Sequence, residues 1–345
     1  MNKESIRFYE TVRDYFNIYM EKQRCMSEHT ITAYRQAINQ YLSYLTTEKK
    51  IKFENISFSD WNAANINDFL VYISEQKKVS TATRNQRLFA LRGFLKYARI
   101  AQPETGALSL NAALISKAHG TQEPVGFLTE EEMTCLLAQP NTNTKVGIRD
   151  MCFMITMYDT AARDSEMLSL RLNSLSLDGK SPAIRLEGKG NKIRYTPLMQ
   201  KTAEHLKRYL QIYHPTPQNP EDFLFYTVIH EKKHQMSDDN VARFIKKYVQ
   251  QAKIINPLMP EKVTPHQFRH SRAMHLYRNG MPLQLLSEFM GHATLQSTLI
   301  YAYADTEMKR KAIEKSHGKD SCSNSSIVPD WQTDEDMIRR LYGLK

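Results

Sequence analysis

Three short stretches of this 345-residue chain concentrate the residue types that handle a phosphodiester. In the first, Asp159-Thr160-Ala161-Ala162-Arg163-Asp164-Ser165-Glu166-Met167-Leu168, Arg163 precedes a helix carrying Leu168 and Leu170, where its forked donors can clamp a phosphate. An ion pair with Glu166 accounts for the same arginine equally well. In the second, Lys189 sits between Gly188 and Gly190, within a segment from Ala183 to Pro197 whose apolar and polar residues alternate as in a β-hairpin. A mobile turn can deliver an ammonium group to a site, although a plain surface turn has the same composition. It does not match the GxxxxGK(S/T) loop of nucleotide hydrolases, so ATP binding is rejected.

The third stretch is Thr264-Pro265-His266-Gln267-Phe268-Arg269-His270, with Thr264 as N-cap, Pro265 at the first helical position and Asn279-Gly280 closing the helix. The i,i+3 spacing puts His266 and Arg269 on one face of the first turns, where the helix dipole favours an anion. His266 and His270 at i,i+4 are alternatively a metal pair, but no HExxH pattern or third ligand follows. Beyond Gly280 a helix from Pro282 to Met290 ends at Gly291-His292, and Tyr301 comes nine residues later. Taken singly, a His after a Gly is a turn residue and a Tyr at helical spacing is core.

Something must position these residues, and the patterning predicts helices. Phe8, Val12, Tyr15, Phe16, Tyr19 and Met20 recur at helical spacing, as do Ile31, Tyr34, Ile38, Tyr41, Leu42 and Leu45, then Ile66, Phe69, Leu70 and Ile73, then Leu88, Leu91, Leu95 and Ala98. Four amphipathic helices make a small bundle over residues 1–118. On the last of them Arg84, Arg87, Arg92, Lys96 and Arg99 decorate the non-core positions, as a helix facing phosphates would, or as a solvated basic face would. From Gln102 to Gly126 the periodicity lapses and Pro and Gly accumulate, predicting a linker, narrowest at 119–124. A second domain over 125–315 opens with Thr129 capping a helix, Glu132 completing a capping box. Residues 316–345 form a tail in which Thr333 to Leu344 reads as a short helix with Met337, Ile338, Leu341 and Leu344 on one side. So short a helix is marginal alone in water and should dock on something.

The formal charge is +10, with 17 basic and 11 acidic residues in 1–118, 26 and 21 in 119–315, and 4 and 5 in the tail. That excess raises nucleic acid as a partner, because each neutralised phosphate releases counterions. The longest apolar run, near Met151 to Tyr158, falls short of the ~18 residues a membrane helix needs, and MNKESIRFYE has no signal-peptide core. Cys25, Cys135, Cys152 and Cys322 lack a CxxC spacing, which suits reduced thiols in a cytoplasm and argues against a zinc site.

The fragments TAARDSEML, GKGNKIRYTPL, HQFRHSRA, FMGHA and STLIYAYA, in that order over 159–303 and behind a basic helical domain, resemble the tyrosine recombinase family, the phage-integrase and Xer-like site-specific recombinases. The resemblance covers residues 1–315. It implies a mainly α fold with a small β-sheet or hairpin in the C-terminal domain: a helical core-binding domain followed by a mixed α/β catalytic domain. It implies that Tyr301 is the nucleophile, Arg163 and Arg269 the phosphate clamp, Lys189 the hairpin lysine, His266 the histidine of HxxR and His292 that of the GH pair. Glu166 takes the family's supporting acidic position. Ala161-Ala162 depart from the commoner Gly-Leu, and Tyr303, where many members have His, is a rival nucleophile ranked behind Tyr301 by its spacing from His292.

The implied reaction needs neither cofactor nor metal: two guanidiniums stabilise charge on the attacked phosphate, His266 assists the phenol, and Lys189 protonates the leaving 5′-oxygen. The implied partner is double-stranded DNA bound by a homo-tetramer, with the tail docked on a neighbouring protomer. The expected role is integration, excision or transposition of a mobile element. Alternatives are Xer-like dimer resolution, a type IB topoisomerase, and a non-catalytic regulator using Leu283 to Tyr303 as a helix-turn-helix.

Overall fold

The structure is a computed structural model and describes residues 1–120, 126–188, 192–215, 219–292, 294–304, 310 and 335–341. Two compact units, Met1–Glu123 and Pro124–Lys345, divide the chain. In the first, α1 (Lys3–Asp14) runs on through π-helical turns at Tyr15–Gln23 and is followed by α2 (Glu28–Thr47), α3 (Ala63–Glu75) and α4 (Thr81–Ala101). Side-chain caps satisfy the free N–H groups at three of these helix starts: Asn2 Oδ1 accepts from Ser5 N at 2.8 Å, Asn62 Oδ1 from Asn65 N at 2.9 Å and Ser80 Oγ from Thr83 N at 3.2 Å.

The apolar stripes expected from the sequence meet in one core, where Phe8, Ile38, Tyr41, Leu45, Ile66, Phe69, Leu88, Leu91 and Leu95 are buried. Trp61 is fully buried there with its ring centre 4.7 Å from that of Phe94. Val12 and Tyr19 only half bury. The predicted linker begins too early. Pro103 starts a 3-10 turn rather than breaking the fold, and α5 (Gly106–Leu114) follows, with Ala112 and Ile115 buried in the same core.

Arg92 holds α5 in place. Its guanidinium donates to the carbonyls of Ala112 (2.9 Å), Ala113 (3.0 Å) and Ile115, the groups a helix C-terminus leaves unpaired. It is therefore spent inside the unit, unlike exposed Lys96 and Arg99; Arg87 meets Gln40 on α2 at 2.7 Å and Arg84 meets Asn85 at 3.2 Å.

The second unit builds a core around α7 (Lys145–Thr160), whose Ile148, Cys152, Phe153, Met154 and Met157 are buried. Ahead of it α6 (Glu130–Leu137) has the expected capping box: Thr129 Oγ1 accepts from Glu132 N, and Glu132 accepts from Thr129 N at 2.8 Å. After the short α8 (Asp164–Leu168), an antiparallel sheet runs in the order β1 (Leu175–Ser176), β2 (Ala183–Gly188), β3 (Lys192–Pro197), with Gly188 opposite Lys192. This is the predicted hairpin; Lys189 at its tip lies outside the described residues.

Then come α9 (Gln200–Tyr213), a second hairpin of β4 (Tyr226–Ile229) and β5 (Lys232–Gln235) that the sequence did not announce, and α10 (Asp238–Ile255). The site-bearing elements close the order: α11 (Pro265–Arg278), α12 (Leu283–Met290) and α13 (Leu299–Ala304). In the tail, α14 (Glu335–Leu341) is described; Ser321 to Thr333 and Leu344 are not. Among the described residues no helix is long and apolar enough to cross a membrane.

Candidate active site

The end of α7 is locked before the site begins. Asp159 accepts from Arg272 at 3.0 Å and from the Met199 N–H at 2.8 Å, tying three segments together. Ala161 then turns left-handed (φ 49°), and Arg163 enters α8 as its extended N-cap. Glu166, three residues on, accepts from the Arg163 N–H at 2.8 Å and from the Arg163 guanidinium at 2.7 Å.

Two further donors reach Glu166 from β3: Arg194 places Nη1 2.9 Å from Oε1 and Nη2 2.8 Å from Oε2. Burial alone would raise this carboxyl, but Arg194 and then Arg163 overcome it and bring the pKa down to about 2. Gly188 allows this approach, since a Cβ there would stand 3.0 Å from Glu166 Oε1. The ion pair of Arg163 with Glu166 read from the sequence is present, and it leaves the arginine at the edge of a cleft. Both Arg163 and Arg194 line an open cleft of about 380 Å³ with Gly188, Lys192, Ile193, Gly291 and His292.

Arg269, from the first turns of α11, is 5% exposed and donates to the carbonyls of Ala161 and Met290, each at 2.5 Å. It therefore joins the end of α7 to the end of α12. Burial, then the nearby Arg163, lowers its pKa to about 10, which leaves it charged at neutral pH. Gly291 ends α12 in the left-handed region (φ 63°) and its carbonyl lies 3.4 Å from Arg163 Nη2. The next residue, His292, shares a hydrogen bond with Thr298 Oγ1 at 2.8 Å; burial, Arg269 and Arg163 push its pKa down to about 4, so it is neutral at pH 7.

Tyr301, on α13, is fully buried with Ala161, Met274 and Met290. Its hydroxyl lies 2.9 Å from His270 Nδ1. Burial raises the phenol to about 12, opposed by the charges of Arg269 and Arg163. His270 is itself lowered to about 4 by burial, His266 and Arg269. Arg163, Glu166, Arg269, His292 and Tyr301, spread over 139 positions, are thereby brought into one neighbourhood.

His266 is exposed, with its ring centre 6.4 Å from that of His270. The nitrogen on the Tyr301 hydroxyl is therefore that of His270, one turn later than the histidine expected to assist it. The side chain of the rival Tyr303 lies outside the described residues.

Sequence reasoning missed Arg194, His270 and Thr298 as site residues. Strand alternation contained a signal for Arg194: it pairs with buried Leu186, and an arginine placed opposite a core position needs a buried counter-charge.

Comparison with known proteins gives the family. Residues 126–308 match the Phage integrase family, and residues 14–102 match the N-terminal SAM-like domain of phage integrases. A putative integrase/recombinase, y4rC of Sinorhizobium fredii, is 30% identical over 88% of this chain and 90% of its own length. The tyrosine recombinase XerC of Thermodesulfovibrio yellowstonii is 31% identical, covering 87% of this chain and 93% of its own. In fold, the chain is similar to the XerH site-specific recombinase in its post-cleavage complex with a palindromic difH substrate (TM-score 0.65, 23% identity, 85% of this chain and 82% of that one). It is also similar to the Tn1549 transposon integrase in complex with transposon right end DNA (TM-score 0.65, 15% identity, 87% and 97%). With a match over more than half its length and a sequence-long relative at 30% identity, the chain belongs to the phage integrase family of tyrosine recombinases, enzymes that cut and rejoin DNA at specific sites.

Proposed function

We propose that Tyr301 attacks a DNA phosphate clamped by Arg163 and Arg269, leaving the DNA joined to the enzyme as a 3′-phosphotyrosyl ester. One observation carries this reading: the phenol and both guanidiniums converge from α13, α8 and α11, close enough for the two charges to act on the phenol against its burial. The phenol oxygen forms the new bond to phosphorus, the bond to the 5′-oxygen breaks, and charge gathering on the non-bridging oxygens is stabilised by the clamp. With a pKa of about 12, Tyr301 is ionised to only about one part in 10⁵ at pH 7, so its proton must leave during attack. His270 holds that proton's position in the resting structure, and His266 is the exposed imidazole one turn earlier. Lys189 keeps the role that the resemblance implies, donating a proton to the departing 5′-oxygen, while His292, neutral beside the clamp, offers a hydrogen bond to a phosphate oxygen. Because the ester retains the bond energy, a 5′-hydroxyl from another strand reverses the step.

Arg84, Arg87, Lys96 and Arg99 serve as backbone contacts to the duplex, and Arg92 is left out because its donors are used within the unit. The working form is a homo-tetramer on cytoplasmic DNA, each tail docking on the next protomer. The DNA is that of a mobile element; the 31% identity to a XerC favours dimer resolution as the alternative. Two labelled duplexes carrying repeats from the DNA flanking the gene should yield recombinant products that depend on Tyr301. Relaxation of supercoils without exchanged partners would move the reading to a topoisomerase. Truncation after Ser316 should abolish tetramer assembly on DNA; intact assembly would remove the tail's role.

A further inference from the structure

The Glu166 carboxylate stands between two arginines that hold it unequally. Arg194 takes both oxygens, at 2.9 and 2.8 Å, whereas the Arg163 guanidinium takes one, at 2.7 Å. The Arg194 side chain is 14% exposed and that of Glu166 is 1% exposed, so water does not readily replace this contact. Arg194 is also confined from the α12 end: a Cβ at Gly291 would stand 3.0 Å from its Cδ and 3.1 Å from its Nη1. Glycine at 291 thus lets the turn presenting His292 close over the Arg194 stem.

Guanidinium and carboxylate prefer a two-pronged pairing. Left alone with Glu166, Arg163 would close onto both oxygens and turn its second prong away from the cleft. With Arg194 already bidentate, Arg163 keeps Nη2, whose protein partner is the Gly291 carbonyl at a loose 3.4 Å.

We propose that Arg194 is a positioning residue for strand cleavage: by occupying both oxygens of Glu166, it keeps one prong of Arg163 directed at the scissile phosphate. This rests on the reading of Arg163 as phosphate clamp. Arg194 acts through Glu166, so its effect exists only while that carboxylate is present.

The test uses the full chain carrying R194Q, R194K, E166Q and the R194Q/E166Q pair. Cleavage of a nicked duplex is followed in single turnover at saturating protein, with DNA affinity measured separately. R194Q should cleave about a hundredfold more slowly, the scale of a displaced catalytic group, at nearly unchanged affinity. R194K should fold and recover part of the rate, since one ammonium cannot grip both oxygens. Added to E166Q, R194Q should slow cleavage little further. The pH profile supplies a second readout. Arg163, Arg194 and Arg269 all face Glu166, and its pKa of about 2 keeps it ionised in the wild type until the pH falls toward that value. Loss of Arg194 raises this carboxyl, so R194Q cleavage should fall more steeply on acidification. Asp164 and His270 titrate alike in both proteins, but His292 also feels the charge of Arg194. The R194Q/E166Q pair, which lacks that charge and the carboxylate, is therefore the control: the steeper fall should be present in R194Q and absent in the pair.

R194Q and E166Q losses that multiply, superimposable pH profiles, or affinity falling in step with cleavage would each overturn the proposal. Wild-type cleavage by Arg163→Ala would instead remove the clamp reading on which it rests.

Discussion

Arg163 and Arg269 are assigned the same chemical task but stand in different surroundings, and Arg269→Ala and Arg163→Ala should separate them. Arg269 is buried and hydrogen-bonded to the carbonyls of Ala161 and Met290. A hydrogen bond from a charged donor contributes about 1.5–3 kcal/mol. The guanidinium's own burial, visible in its lowered pKa, offsets part of this, so the low end applies and the two contacts together are worth about 3 kcal/mol. In a unit as large as Pro124–Lys345, each kcal/mol moves the melting temperature by about 2–4 °C, giving a loss of about 6–12 °C for Arg269→Ala.

Arg163 is a third exposed, and without it Glu166 retains Arg194, so Arg163→Ala should lose at most about 1 kcal/mol, or under about 4 °C. Both variants should nevertheless cleave at least about a hundredfold more slowly, because each removes a donor to the developing charge, a term of about 3 kcal/mol. Thermal melting followed by circular dichroism, beside single-turnover cleavage and a binding titration, reads all three quantities. Equal melting temperatures for the two variants would refute the packing role of Arg269. Cleavage losses that merely track binding losses would refute the clamp and leave both arginines as backbone contacts.

Acid should weaken the catalytic unit through Glu166. Its folded pKa of about 2 lies below the unfolded value near 4.5, so its stabilisation, about 3 kcal/mol, is fully present above 4.5 and is lost as pH falls toward 2. Glu166→Gln should therefore be less stable by about that amount at pH 7, and the gap to wild type, measured by denaturant titration, should close near pH 2. Asp164, raised to about 6 by burial and Asp238, works oppositely in both proteins and drops out of the comparison. In the first unit, Arg92→Ala should lose about 2 kcal/mol of stability by removing the charged donor from the Ala112 and Ala113 carbonyls at the end of α5. Lys96→Ala should melt as wild type but lower the slope of log affinity against log salt by about 1.

Periodicity revealed the helical bundle because its helices bury one side: the spacing of Ile38, Tyr41, Leu42 and Leu45 reports directly which face of α2 is covered. Capping chemistry is equally local: Thr129 with Glu132 forms the expected box, and Thr264, expected as an N-cap, completes one with Gln267. What stayed hidden depends on tertiary placement. Pro103 and Gly106 have breaker composition, yet two α5 carbonyls and that of Ile115 just beyond find Arg92 twenty or more positions away, so helix α5 closes where a linker was expected. The five fragments marked the neighbourhood of the site but not its wiring. That Glu166 answers to two arginines, and that His270 rather than His266 meets the phenol, follows from how β3 and α13 pack on α8 and α11.

The central claim is that Tyr301 becomes covalently bonded to DNA. A nicked suicide duplex that loses a short fragment after cleavage would trap the ester, and peptide mapping of the adduct would locate it. Wild type should carry the 3′-phosphotyrosyl bond at Tyr301, and Tyr301→Phe should bind the same duplex with near-normal affinity while forming no adduct. An adduct on Tyr303, or one formed by Tyr301→Phe, would contradict the account.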